Sequence, residues 1–184
     1  MKNILVAGSV IFFYATTANA QSESGAGKDE KETRHELRKT EREVKRNERP
    51  VSYQSNQAFL RDFPGAENVN WKTGAPFEIA TFNYNGVITT AYYDLGSELV
   101  GTTTEKTFSD LPLHAQEHIK KNYSSYTPGE VILFDDNEYN DTDMELFSTV
   151  FDDEDNYFVS MENDKETIIL KVKMNGNVSF FKTL

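Results

Sequence analysis

Two clusters of side chains in this chain could do chemistry. His114-Ala115-Gln116-Glu117-His118 has the spacing at which one helix offers two imidazoles, a turn apart, to a zinc ion, with the glutamate as general base. A peptidase built that way needs a third ligand from a further helix and a substrate cleft, and only strand-like segments follow. The helix drawn through these residues turns Ala115, Ile119 and Tyr123 to the core, with His114 and Glu117 away from it and His118 on the flank. We read the pattern as the outer face of an ordinary helix, and expect no metal-dependent hydrolase. The second cluster is acidic. Asp135, Asp136, Glu138, Asp141, Asp143 and Glu145 are followed by Asp152, Asp153, Glu154 and Asp155, with no basic residue between the ends of the run. Calcium favours oxygen-rich loops of this kind, and Asp141, Asp143, Asp153 and Asp155 are the weak candidates for it. The EF-hand pattern fails, because Asp136 has no glycine five residues later and no glutamate at the closing position. Solvated turns whose carboxylates keep a sheet edge from pairing account for the run. The chain has no cysteine and three histidines, which leaves no serine with an evident base. No catalytic residue and no cofactor is expected.

The elements that would carry these residues read as two copies of one pattern. The first runs from a helix at Ser55, the expected N-cap, to a stop at Pro64-Gly65. Strands follow at Val69–Lys72, Phe77–Tyr84, Val87–Asp94 and Glu98–Thr104, the middle two joined at Asn85-Gly86, a strong hairpin signal. The second opens at Ser109-Asp110-Leu111-Pro112, where Ser109 or Asp110 caps a helix whose first turn holds Pro112 and whose inner side carries Ala115, Ile119, Asn122 and Tyr123. Its strands are expected at Glu130–Phe134, Glu145–Phe151, Tyr157–Met161, Thr167–Met174 and Asn177–Phe181. The fold class is therefore α+β: two tandem repeats, about 55–104 and 109–184, each a helix followed by an antiparallel meander, with the helices packed on one sheet face.

A shift of eighty positions lays Gly96 on Gly176, Tyr92 on Val172, and Phe77, Ile79 and Thr81 on Tyr157, Val159 and Met161. Ile168, Leu170, Val172 and Met174 alternate with Thr167, Ile169, Lys171 and Lys173, so the first set should face the helices. Under the eighty-residue shift Ile88, Thr90 and Tyr92 face inward too. That leaves Phe82, Tyr84, Tyr93, Phe158 and Ile169 outward, an apolar face of the kind that marks a partner site. Phe82, Tyr84, Tyr93 and Phe158 are the expected anchors, with Lys171 and Lys173 selecting charge at the rim. A slip of one residue would exchange the two faces.

Phe63-Pro64-Gly65-Ala66 with Val69 and Trp71, Tyr92-Tyr93-Asp94 before Gly96, Leu111-Pro112 with Ile119 and Tyr123, and Met174-Asn175-Gly176 with Val178 carry a family resemblance. Together they resemble the secreted PepSY-like proteins, which are also described as similar to beta-lactamase inhibitor proteins. The resemblance covers most of Asn56–Leu184. It implies a small periplasmic or secreted domain of helix-plus-meander repeats, and by analogy of fold an inhibitor of an extracytoplasmic enzyme. It supplies no catalytic residue, and the acidic insertion before the strand at Tyr157 departs from its pattern.

Met1-Lys2-Asn3, the apolar run Ile4–Tyr14 and Ala18-Asn19-Ala20 read as a signal peptide over 1–20, cut before Gln21. The run is short for a membrane span, so none is expected after cleavage. Residues 21–50 form a charged linker, disordered or helical; Lys28–Arg49 holds nine Lys/Arg and seven Asp/Glu, with only Leu37 and Val44 as larger aliphatics. Those two positions fall short of a coiled coil. Pro50–Leu184 carries nine Lys/Arg against twenty-two Asp/Glu, a net charge of −13, which repels nucleic acid and anionic lipid. The resulting expectation is a periplasmic or secreted, non-catalytic module that binds a protein or peptide through the outer sheet face. Its alternative is a structural or calcium-responsive envelope protein that uses the acidic loops.

Overall fold

The computed structural model describes residues 50–74, 76–152 and 154–184. The expected signal peptide, the charged linker up to Arg49, and Asp153 lie outside the described residues. The described residues all belong to the compact unit Glu41–Leu184.

Helix α1 (Tyr53–Asp62) starts earlier than the sequence suggests. Its N-cap is Ser52, whose Oγ accepts from Ser55 N at 3.1 Å, while Ser55 is buried and donates its own hydroxyl to Ser97 Oγ at 2.9 Å. The helix ends at Phe63, whose N–H bonds Phe59 O, and the chain reverses through Gly65 at φ +87°. Strands β1 (Glu67–Thr73), β2 (Glu78–Tyr84), β3 (Val87–Tyr93) and β4 (Leu99–Lys106) follow. The expected cap of the second helix is also corrected. Thr107 caps a 3-10 turn, Phe108–Asp110, by a reciprocal box in which Thr107 N donates to Asp110 Oδ2 at 2.7 Å. Helix α2 (Leu113–Asn122) begins after Pro112, with no side-chain cap. Strands β5 (Thr127–Asp136), β6 (Met144–Leu146), β7 (Thr149–Phe151), β8 (Asn156–Glu162), β9 (Thr167–Lys173) and β10 (Val178–Thr183) complete the described chain.

Eight strands form one antiparallel sheet in the order β1-β2-β3-β4-β5-β8-β9-β10, and β6 and β7 form a separate hairpin inserted between β5 and β8. Glu145–Phe151 is thus not the single strand expected. Phe147 and Ser148 both take positive φ, 52° and 56°, as the two central residues of a tight hairpin turn. Inside the sheet, a Cβ on Gly101 would come within 2.6 Å of the Phe134 ring and 2.7 Å of Asp135 O, so only glycine lets β4 lie this close to β5.

The pairing fixes which side chains share a face. Ala80 opposes Ala91, Phe82 opposes Thr89, and Val159 opposes both Val131 and Leu170. Helix α1 buries Ala58 and Phe59 against Ala80, Phe82, Ala91 and Tyr93. Helix α2 buries Ala115 and Ile119, beside Leu111, against Val131, Tyr157, Val159, Met161, Ile168, Leu170 and Val172. Asn122, expected on that inner side, is exposed and bonds His118 O. A third cluster lies on the opposite sheet face: Phe77, Val100, Phe134, Phe158 and Ile169 under Met144, Leu146 and Phe151 of the hairpin.

Candidate binding surfaces

The aromatic set expected to point outward is divided between the two faces. Phe82 is 2% exposed and Tyr93 0%. Phe82 lies 4.8 Å from both Phe59 and Phe63 between ring centroids, Tyr84 packs edge-on against Phe63 at 5.5 Å, and Tyr93 tilts against Trp71 at 5.9 Å. Tyr93 donates its hydroxyl to Asp62 Oδ2 at 3.2 Å; burial first, and the Asp62 carboxylate beside it, hold this phenol far above its ordinary range. These three residues form the core under α1, so their expected outward placement is corrected. Ile168, Leu170 and Val172 do face α2, while Ile88, Thr90 and Tyr92 stand on the far face.

The cause is visible in two turns. Asp94 N bonds Glu98 O and Ser97 N bonds Asp94 O; Lys173 N bonds Asn177 O and Gly176 N bonds Lys173 O. The residue in the left-handed region is Ser97 in one turn, at φ +65°, and Gly176 in the other, at +88°. Matching Gly96 to Gly176 was therefore wrong by one position, and one position turns a strand over.

Phe158 is on the far face as expected, but it is 1% exposed. The hairpin covers it: Phe151 lies at 4.9 Å, Phe147 at 6.3 Å, and Phe181 of β10 at 5.0 Å. Lys182 Nζ donates to the Phe147 carbonyl and ties the hairpin turn to the last strand. The rim lysines are engaged within the chain. Lys171 Nζ lies 3.6 Å from Glu154 and 4.0 Å from Asp152, and Lys173 Nζ lies 2.9 Å from Glu154. The hydrogen bond from Lys173 pulls the Glu154 carboxyl below its usual range, and the same bond raises Lys173.

The acidic run is divided too. Asp155 Oδ1 accepts from Asp136 N at 2.8 Å, and these two with Glu138, Glu154, Lys173, Met174 and Asn175 line a cleft of about 500 Å³. The carboxyl of Asp135, an exposed residue, is raised by partial desolvation, then by the charges of Asp155 and Glu138. Asp141 is exposed in the loop before β6, and Asp143 lines a different groove, described below. Among the described residues no three His, Cys, Asp or Glu side chains are grouped to hold a metal ion. His114 and Glu117 are exposed on α2, and His118 is half-buried, 6.5 Å from the Tyr123 ring.

Two surfaces remain available on the far face. One is an open strip of β2, β3 and β4. Thr81 and Thr90 stand side by side on it with hydroxyls 3.1 Å apart, while Thr103 beyond them is buried and bonded to Tyr92 OH at 3.2 Å. Ile88, opposite Asn83, is 62% exposed at its end, and Glu105, opposite Ile132, flanks it. The other is a groove of about 510 Å³ at the opposite strand ends, between the β3–β4 turn and the hairpin. Its lining includes Pro76, Phe77, Leu95, Asp143, Glu145 and Val150. Sequence reading put Ile88 inside and passed over Leu95 and Val150. Leu95 carried a signal, a large aliphatic residue inside a turn, whereas Val150, between Thr149 and Phe151, carried none.

What holds the groove in shape is Asp94. Its Oδ1 accepts from Glu98 N at 2.9 Å, and its Oδ2 from Asn140 Nδ2 at 3.3 Å and Thr142 Oγ1 at 3.4 Å. Asn140, buried, also donates to Leu99 O at 3.2 Å and accepts from Thr142 N at 3.0 Å. The loop leading to the hairpin is thus pinned to the turn beneath it.

No protein-family model matches this chain, and no curated protein matches it. Solved structures do. A BLIP-like protein from Bacteroides fragilis matches at 16% identity and a TM-score of 0.57, over 74% of this chain and 88% of that one. A DUF2874 family protein from Bacteroides uniformis matches at 14% and 0.60, over 73% and 90%. A candidate periplasmic protein from Bacteroides eggerthii matches at 14% and 0.58, over 74% and 89%. At these identities the likeness is one of fold: an antiparallel sheet with two helices, as in a BLIP-like protein. Among the described residues no helix is long and apolar enough to cross a membrane.

Proposed function

We propose that this protein is an exported, non-catalytic binding module that takes a protein or peptide partner on the open strip of the sheet face opposite the helices. The observation that carries the reading is Ile88. It is a large aliphatic residue left 62% exposed on a sheet whose other face carries both helices, beside the paired hydroxyls of Thr81 and Thr90. Such a strip offers one apolar anchor, several rotatable donors and a rigid backing. The far face also carries the hairpin, so a partner would meet a step rather than a flat sheet. The two helix-and-four-strand segments are read as tandem repeats of a PepSY-like domain, since both helices end and both last turns close with the same hydrogen bonds. The fold neighbours, one BLIP-like and one a candidate periplasmic protein, support periplasmic or secreted placement and the binding of a protein, an extracytoplasmic enzyme among the possible targets.

The test is affinity capture of envelope and secreted proteins on the immobilised full chain, with Ile88→Asp and Thr90→Asp baits in parallel, each with calcium and with chelator. A partner held by the parent chain in both conditions and released by both substitutions supports the strip. Equal retention on all three baits removes it, and retention only with calcium moves the function to the acidic loops.

A further inference from the structure

We propose that the groove between the β3–β4 turn and the β6–β7 hairpin is a second binding site, for a peptide segment in which an aliphatic or aromatic side chain is flanked by lysine or arginine. It is separate from the strip. Phe77 in the groove and Asn83 on the strip are six residues apart along β2 and its approach, about 20 Å in extended chain.

The groove joins features that are ordinary singly. Its floor is Phe77, buried. Leu95 stands on one wall, 83% exposed, and Val150 on another, 59% exposed. An isolated exposed aliphatic needs no explanation. Here two of them come from different elements and look into one concavity. Neither serves the fold. The turn holding Leu95 is closed by Asp94, Ser97 and Glu98 through main-chain and carboxylate bonds that ask nothing of the leucine side chain. Turn tips are otherwise the place for Gly, Asn, Asp or Ser. Val150 pairs with Glu145 on the outer side of the hairpin, while Met144 and Phe151 take its inner side.

Charge names the occupant. Among the described residues the lining includes Asp94, Asp143 and Glu145 and no lysine, arginine or histidine. Asp94 is spent on internal hydrogen bonds, but its charge remains, and Asp143 is exposed and Glu145 half-buried. An apolar pocket rimmed by carboxylates on a domain of net charge −13 repels acidic segments and attracts basic ones. A volume of about 510 Å³ suits one or two side chains rather than a flat surface. The Asp94 bonds to Asn140 and Thr142 fix both walls before anything binds, which reduces the ordering that binding would require.

The experiment pans a library of random linear dodecapeptides displayed on phage against the immobilised full chain, with Leu95→Asp/Val150→Asp as the counter-target. Both positions are exposed, and unchanged circular dichroism and melting temperature would certify that the double variant folds. The expected result is enrichment of peptides with an apolar residue between Lys or Arg. Synthetic copies should bind the double variant at least tenfold more weakly and weaken with added salt. A second variant, Asp143→Lys/Glu145→Lys, should turn the enriched flanks from basic to acidic. No enrichment over the counter-target overturns the proposal. So do peptides that bind the double variant as well as the parent, and peptides lost on Ile88→Asp instead, which would belong to the strip. Self-association of the parent that Leu95→Asp abolishes would make the occupant a second copy of this chain, and would overturn the peptide assignment. Failure of the strip in the capture experiment leaves this result untouched, because Ile88→Asp does not alter the groove.

Discussion

Replacing Phe82 by alanine and, separately, Ile88 by serine tests the placement of the first four strands more sharply than any binding assay. The two residues lie on neighbouring strands and on opposite sheet faces. Phe82 is 2% exposed, with Phe59 and Phe63 both 4.8 Å away and Tyr84 at 6.2 Å, so truncation empties a ring-sized space between α1 and the sheet. A buried aromatic side chain removes roughly 150–250 Å² from water, which at about 25 cal/mol per Å² is about 4–6 kcal/mol. A realistic unfolded chain already hides part of that area, which brings the loss to about 3–5 kcal/mol, the range found for such truncations. Ile88 is 62% exposed, so its replacement should cost no more than about 0.5 kcal/mol. Urea unfolding followed by tryptophan fluorescence suits the measurement, because Trp71 packs 5.4 Å from Phe59 in the same cluster. A midpoint barely moved by Phe82→Ala, or a larger loss from Ile88→Ser, would mean that the strands present the other face to α1.

Other consequences follow from single contacts. Gly101→Ala should cost about 1–3 kcal/mol in the same urea experiment, since its Cβ would overlap the Phe134 ring and Asp135 O at 2.6 and 2.7 Å; an unchanged midpoint would refute the close approach. Asn140→Ala strips partners from Asp94, Leu99 O and Thr142 N, and should cost about 1–3 kcal/mol; hydrogen exchange at the Thr142 amide should rise with it, and a fully protected amide would show the loop is held otherwise. Partial desolvation and the charges of Asp155 and Glu138 raise the carboxyl of Asp135, an exposed residue, so its ionised form weakens the folded state slightly above the raised pKa, and that small cost vanishes once the pH falls below the unfolded value. Asp135→Asn should therefore melt higher than the parent at pH 7, with the gap closing as pH falls through the carboxylate range. A gap that widens in acid would reverse the sign and sink the assignment.

The chain reversals at Asn85-Gly86, Pro64-Gly65 and Asn175-Gly176 were legible because their residues are conventional for turns, whereas the starts of both helices and the break between β6 and β7 were not. Sidedness was legible only in the second half. There Ile168, Leu170 and Val172 are all buried under α2 and alternate with Thr167, Lys171 and Lys173. In the first half Tyr92 and Tyr93 are adjacent aromatics, and Ile88 and Phe82 are equally apolar in print, so periodicity could not choose between faces. The choice then rested on one glycine. Ser97, a non-glycine residue at positive φ, occupied the position that Gly176 marks in the other half, and Gly96 beside it supplied a false landmark. The groove was illegible for a different reason: Leu95 and Val150 are far apart in sequence and meet only because Asp94 and Asn140 join a turn to a distant loop.

The hairpin decides which parts of the far sheet face stay open. Read by charge alone, the insertion between β5 and β8 is a string of carboxylates. Read by its apolar positions, it places Met144, Leu146 and Phe151 at the spacing of two short strands with one greasy side. That side must be buried, and it packs on Phe158, Ile169, Phe134, Phe77 and Val100 on the face the helices leave free. Covering it closes that part of the face. It also creates a wall, and the wall is what turns the Leu95 turn and Val150 into a groove. Asp143 and Glu145 of the insertion then fall on the lining of that groove. One insertion thus closes an apolar sheet face and opens an acidic pocket beside it. Deleting residues 141–152 tests the linkage in both directions. If the hairpin acts as cover and wall, the shortened chain should lose basic-peptide binding and bind the fluorescent apolar probe anilinonaphthalene sulfonate through Phe158 and Phe134. A shortened chain that melts cooperatively, binds no probe and keeps the peptide would show that neither role belongs to the hairpin.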